Sequence, residues 1–237
     1  MKDFITIKNL KKEFGKKKVL QDLDLTIKKG ERLAILGSNG CGKTTLVEMI
    51  AQTSKPTSGT IEFNLEGDLK KEIGIQFQQG EWPAGICAED MLKFYRSVYP
   101  RFTKDWEEQL NQVFDIEEFR KRSIRKLSGG QKQRFNAMIS MMNDPELVIL
   151  DELTTGLDMQ LQFSIISFFK DKLKKDNKTL ILVSHSPEEV ELLCNRMVII
   201  KDGKVAFDRK ITEAIKEFKT IRNIMDKHFE GSLKYDN

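Results

Sequence analysis

The chain has 237 residues, 39% of them hydrophobic and 32% charged, which supports a folded core and excludes a mainly disordered protein. Forty Lys and Arg against 36 Asp and Glu leave a net charge of +4 spread along the chain, so no nucleic-acid partner is expected from charge. Cys41, Cys87 and Cys194 lie far apart without metal or redox spacing, which fits a reducing cytoplasm.

The opening MKDFITIKNLKKEF has no signal-peptide pattern, and no apolar run reaches the ~18 residues that cross a bilayer. Residues 3–9 and 18–28 alternate apolar and polar in the strand manner, with Lys16, Lys17 and Lys18 read as a solvated turn between them. LAILG at 33–37 reads as a buried parallel strand, and TTLVEMIAQ after it as a helix. Residues 59–64 and 72–77 read as two more strands. From about 80 to 143 the expectation is all helix, on the spacing of AEDMLKFYRSVY and TKDWEEQLNQVF.

Alternation of strand and helix then resumes. LVIL at 147–150 is followed by a helix at about 159–175, TLILVS at 179–184 by a helix at 187–194, and strands are expected near 197–201 and 204–208. A helical block interrupting a βα pattern predicts a helical subdomain, about 80–143, inserted into one mostly parallel sheet. Residues 209–237 read as a short helical tail with Ile215, Phe218, Ile221, Ile224 and Met225 on one side.

Three motifs carry chemistry. GSNGCGKT comprises Gly37, Ser38, Asn39, Gly40, Cys41, Gly42, Lys43 and Thr44, with Thr45 next, and lies between a predicted strand and a predicted helix. Its N–H groups and the positive helix end would cradle phosphate oxygens, Lys43 would reach the β- and γ-phosphates, and Thr44 would ligate Mg²⁺. Cys41, next to a helix N-terminus and Lys43, is expected to have a lowered thiol pKa.

LVILDE is a buried strand ending in adjacent carboxylates, costly unless a cation or a reaction uses them. Strand ends in open α/β sheets face the ligand, which assigns Asp151 to the Mg²⁺ shell and Glu152 to the attacking water. In LSGGQ, Ser128 is a good N-cap, and Gly129, Gly130 and Gln131 open a second helix able to receive a phosphate. One nucleotide already has its phosphate loop, so a second anion site suggests two copies head to tail, each LSGGQ meeting its partner's γ-phosphate through Ser128 and Gly130.

With these motifs in this order, the chain resembles an ATP-binding-cassette (ABC) ATPase over nearly all of residues 1–208. The resemblance implies α/β architecture: a P-loop NTPase core with a mostly parallel sheet, an N-terminal antiparallel β subdomain and the inserted helical subdomain. It assigns Gln78, in IGIQFQQ, to sensing Mg²⁺ and the γ-phosphate, Asp158, in LTTGLD, to the dimer interface, and His185, in LILVSHS, to the γ-phosphate. Phe14 stands where the family stacks a tyrosine on adenine, with ordinary sheet packing as the alternative. Leu153 stands where the family commonly has proline.

The function implied is a Mg²⁺-dependent ATPase that pairs with a second copy or a homologous cassette and powers a separate membrane-spanning permease from the inner face of the membrane. The segment SHSPEEVELLCNRMVIIKDGKVAFD resembles the branch that exports drugs, lipids or polysaccharides. A soluble ATPase of the iron–sulfur-assembly type is the alternative. Trp82, Phe94, Tyr95 and Tyr99 form either a groove for a permease helix or the core of the small lobe.

Overall fold

A computed structural model describes residues 2–76 and 82–235. In chain order the first half comprises β1 (Asp3–Phe14), β2 (Lys17–Lys28), β3 (Arg32–Leu36), α1 (Lys43–Ile50), β4 (Ser58–Phe63), α2 (Leu69–Glu72), β5 (Ile73–Gln76), α3 (Ala88–Val98), α4 (Lys104–Phe114) and α5 (Gly129–Ile139). There follow β6 (Leu147–Asp151), α6 (Met159–Lys175), β7 (Thr179–Val183), α7 (Pro187–Leu193), β8 (Arg196–Lys201), β9 (Lys204–Lys210), α8 (Ile211–Phe218) and α9 (Ile221–Phe229).

The central sheet has the order β5-β6-β7-β3-β8-β9, parallel from β5 to β8, with β9 antiparallel at the edge. Its strands read as continuous apolar runs because both faces are buried. Leu33 and Ile35, Leu147 and Ile149, and Ile181 and Val183 face one cluster. Ala34 and Leu36, Val148 and Leu150, and Leu180 and Leu182 face the other. A separate antiparallel sheet, β2-β1-β4, packs with α1 on the first face, while the remaining core helices cover the second. Burying each of the larger apolar side chains contributes roughly 1.5–3 kcal/mol before conformational entropy is counted.

This topology places three strand ends side by side. β3, β7 and β6 are consecutive neighbours, and their carboxyl ends lead respectively into Gly37, Ser184 and Glu152. Residues far apart in sequence therefore meet at one edge of the sheet, as the rule for parallel α/β sheets requires.

Two readings need correction. The stretch 80–143 is not all helix: between α4 and α5 lie two 3-10 turns, Glu117–Phe119 and Ile124–Lys126, and Cys87 bridges Ser123 as an isolated antiparallel pair. The backbone between the helices is held by charge, since buried Arg134 donates to Asp115 Oδ2 at 2.8 Å and Glu118 Oε2 at 2.5 Å. Arg96 and Arg120 both bind buried Glu107, Arg120 at 2.8 Å. Of the lysine run, only Lys16 lies in the turn, whereas Lys17 pairs with Phe14 inside the β1–β2 ladder.

Among the aromatics, the Trp82 ring lies 5.7 Å from that of Phe135, and Tyr95 and Tyr99 stack at 5.5 Å. Those three pack against the core, and Phe94 is exposed. In the tail, Ile221, Ile224 and Met225 are buried, and Ile215 and Phe218 lie half-buried against the same cluster. No helix among the described residues is long and apolar enough to cross a membrane.

Candidate active site

The loop after β3 owes its shape to glycine. Gly37 has φ of 144°, and a Cβ there would sit 2.5 Å from the Ile200 carbonyl oxygen and 2.7 Å from Cys41 Sγ. Gly42, at φ 110°, is the N-cap of α1, and a Cβ there would meet Leu20 Cδ2 at 2.7 Å. The loop closes on Lys43, whose buried Nζ donates to Gly37 O at 2.7 Å and Ser38 O at 3.1 Å. No side chain caps α1, and no carboxylate occupies its first turn, so its leading amides face outward as an anion site.

Those amides open into a cavity of about 630 Å³. Phe14, Lys17 and Val19 of the β1–β2 hairpin form one wall, and Asn39, Gly40, Gly42, Lys43, Thr44 and Thr45 form the floor. Asp151, Glu152, Val183 and His185 enter from the ends of β6 and β7. Phe14 is 54% exposed, with Lys12 Nζ 4.9 Å from its ring centroid, so it is not a core residue of the sheet.

The carboxylates differ sharply in setting. Asp151 is 3% exposed, and burial together with the Glu152 charge raises its pKa to about 6 against the pull of Lys43. Glu152 adopts φ of 54°, in the left-handed region that non-glycine residues avoid. It is pinned there: its N–H donates to Val183 O at 2.8 Å, and its carbonyl accepts from Gln133 Nε2, which also reaches Leu153 O at 3.3 Å.

Other expected residues lie elsewhere. The side chains of Ser38 and Cys41 line a second cavity behind the loop. The Cys41 thiol is raised, not lowered as expected, because burial outweighs the attraction of Lys43. Ser128, Gly129, Gly130 and Gln131 do not line the first cavity. Ser128 caps α5, accepting from Gln131 N at 3.2 Å and donating its own N–H to Gln131 Oε1 at 3.1 Å, and Gly130 lies against Gly156 O. Asp158 caps α6 through Leu161 N at 3.0 Å. Gln78 falls outside the described residues.

The family model described as "ABC transporter" matches residues 20–155, the stretch that carries the phosphate loop, the LSGGQ helix and both carboxylates. The chain belongs to the ABC transporter family. It is an ABC ATPase domain. The energy-coupling factor transporter ATP-binding protein EcfA2 of Clostridium tetani is 32% identical over 226 residues, covering 88% of this chain and 77% of that protein. The taurine import ATP-binding protein TauB of a Jannaschia species is 31% identical, over 83% of this chain and 77% of its own length. Among solved structures, the dimeric ATP-binding cassette MJ0796 bound to ADP and Pi is 26% identical with a TM-score of 0.75, covering 87% of this chain and 98% of that one.

In this ABC cassette two residues that sequence reading passed over bind the site's loops together. Buried Glu189 accepts from Thr154 N at 2.9 Å and from Thr154 Oγ1 through Oε1, while Ser184 Oγ donates to Oε2 at 2.6 Å. It thereby fastens the segment after Glu152 to the residue before His185. Gln133, from α5, holds the carbonyls of Glu152 and Leu153. SHSPEEV and QKQRF displayed both residues, and SHSPEEV also holds Ser184, but Thr154 lies 35 positions from Glu189 and the carbonyls bound by Gln133 about 20 positions away, and these become neighbours only in the fold.

Proposed function

We propose that this chain binds ATP in the 630 Å³ cavity and, paired with a second copy or a homologous cassette, hydrolyses it to drive a separate membrane-spanning permease. One observation carries the reading: three adjacent strand ends bring Lys43, Thr44, Asp151, Glu152 and His185 to a single cavity, and Phe14 of the β1–β2 hairpin joins them there. Phe14 offers a ring face for adenine, and the amides of α1 with Lys43 take the phosphates. Glu152 orients and deprotonates the attacking water, and His185 faces the γ-phosphate from the end of β7. Gln78 completes this set in the reading.

Asp151 and Thr44 fit Mg²⁺, since a buried carboxylate crowded by a second one is eased by a cation; when bound, the ion neutralises charge on the phosphates. Residues 1–208, with the helical part at about 80–143, form the ATPase unit of this reading, and 209–237 an appended tail.

Ser128, Gly129, Gly130 and Gln131 lie outside the first cavity, which supports their action on the nucleotide of a partner cassette. Asp158 adjoins an apolar patch, Met159 and Phe163, 87% and 77% exposed, which supports a dimer face there. In this reading the stretch from Gln78 to Pro100 receives a permease helix, which the exposure of Phe94 and Val98 on α3 supports, and so holds the chain at the inner face of the membrane. Export is the direction we propose, on the resemblance of residues 184–208 to exporters, and uptake into inside-out vesicles carrying the intact complex tests it.

Glu152→Gln tests the chemistry. Turnover should fall about 10²–10⁴-fold while ATP binding persists, and light scattering should then show an ATP-dependent dimer. Parental turnover in this variant would remove Glu152 from the base role.

A further inference from the structure

The chain has two histidines, and they lie on opposite sides of the phosphate loop: His185 lines the first cavity and His228 the second. We propose that His228 is a positioning residue which, from α9, holds the loop Gly37–Thr44 in its phosphate-binding shape through a hydrogen bond to Ser38. The proposal rests on the reading of that loop as the ATP phosphate site.

His228 Nε2 lies 3.3 Å from Ser38 Oγ, 190 positions away in sequence, and Nδ1 lies 2.8 Å from the Tyr235 hydroxyl. At 8% exposure the imidazole is as buried as a core residue, yet each ring nitrogen meets a hydroxyl. A neutral imidazole has one donor and one acceptor, and a hydroxyl can supply either, so both contacts are satisfied together. Burial and the ammonium groups of Lys201 and Lys43 hold its pKa below the ordinary value, which favours the neutral ring.

Ser38 is the point at which this contact reaches the nucleotide floor. Its carbonyl accepts from Lys43 Nζ at 3.1 Å and from Cys41 N at 3.2 Å, so one residue is tied by its side chain to the tail and by its backbone to the phosphate-binding ammonium. The tail is itself anchored. Ile221 N donates to Glu191 Oε1 at 3.1 Å, Leu233 is buried with its N–H on Lys227 O at 3.0 Å, and Lys201 Nζ sits 4.3 Å over the Tyr235 ring. Core packing alone would be served by a phenylalanine at 228; it does not call for a polar ring aimed at the loop.

A double-mutant cycle on the full chain, read as the dissociation constant of a fluorescent ATP analogue with Mg²⁺, tests the assignment. His228→Phe and Ser38→Ala should each weaken binding about three- to tenfold, the double variant no more than the weaker single, and His228→Gln should recover at least half the loss. Additive losses, or a His228→Phe protein that binds as the parent does, would overturn it. Should His228→Phe not fold, His228→Leu, which also removes the ring nitrogen that meets Ser38, replaces it in the same cycle with the same two outcomes. Failure of the parent to bind the analogue would overturn the phosphate-loop reading itself, whereas additivity with a binding parent removes only the role of His228.

Discussion

The helices α1 and α5 both begin with glycine-rich sequence, and both were read as anion sites, yet their first turns are built in opposite ways. α1 starts from a left-handed glycine with no capping side chain, and its amides open into a cavity. α5 starts from Ser128 in a reciprocal capping box with Gln131, whose Nε2 is held in turn by Glu118 at 3.0 Å. A helix end left uncapped inside a folded chain is unfinished until an anion arrives, whereas a capped one is complete on its own. The difference teaches that a single cassette should hold nucleotide through α1 alone, and that Ser128, whose Oγ already accepts from Gln131 N, has its hydroxyl proton left to donate when it meets a phosphate.

The strongest way to break this comparison is to disarm α1. Lys43→Ala removes a cation and the two bonds that curl the loop, and should weaken ATP binding by the isolated chain about 10–100-fold in a direct titration. Ser128→Arg should leave that titration within about twofold of the parent while abolishing turnover. A large loss of affinity in the isolated chain would show that α5 acts on its own nucleotide and that the two helix ends are alike after all.

Asp151 sharpens the comparison from the electrostatic side. Its folded pKa of about 6 exceeds the ordinary 3.8, so the native state holds more protons than the unfolded chain between those values. Stability therefore falls as pH rises through that window, and the full cost is present above it. Asp151→Asn should make the nucleotide-free protein about 1–2 kcal/mol more stable at pH 8, allowing for solvent screening, with little gain at pH 4, as denaturant titrations at the two pH values would show. An equal gain at both would mean that packing, not charge, is responsible.

The smallest effect is expected at the capped end. Ser128→Ala should cost about 1 kcal/mol of stability, and Gln131→Ala about half of that, both visible as lower thermal midpoints without nucleotide. If neither moves the midpoint, the box does not complete α5 and the contrast with α1 loses its basis.

Much of this arrangement was legible because its signals are local. β3, β6 and β7 are buried on both faces, so RLAIL, LVILD and TLILV announce themselves as unbroken apolar runs. The phosphate loop and LSGGQ are each one contiguous stretch whose residue types follow from backbone shape. What escaped depends on partners distant in sequence. Glu189 looks like a helix-surface carboxylate until Thr154, 35 positions away, closes over it, and His228 sits in an amphipathic helix whose contact with Ser38 needs the whole fold first. The region from Asp115 to Ser128 departs from the expected helix because Arg134, with its two carboxylates, organises irregular backbone that has no apolar period to betray it. For Cys41 the neighbouring Lys43 is visible in sequence, whereas the burial that raises its thiol is not.

The left-handed backbone of Glu152 bears on how such a cassette could decay over evolutionary time. Glutamate and glycine codons differ by one base, and glycine is the residue that adopts a φ of 54° without steric penalty. A single transition would thus relieve on the order of 1 kcal/mol of strain while deleting the carboxylate, so drift alone would favour a sturdier and inert descendant. Persistence of glutamate in a lineage of this chain would record purifying selection on turnover, and its loss to glycine would mark a lineage in which that selection has lapsed.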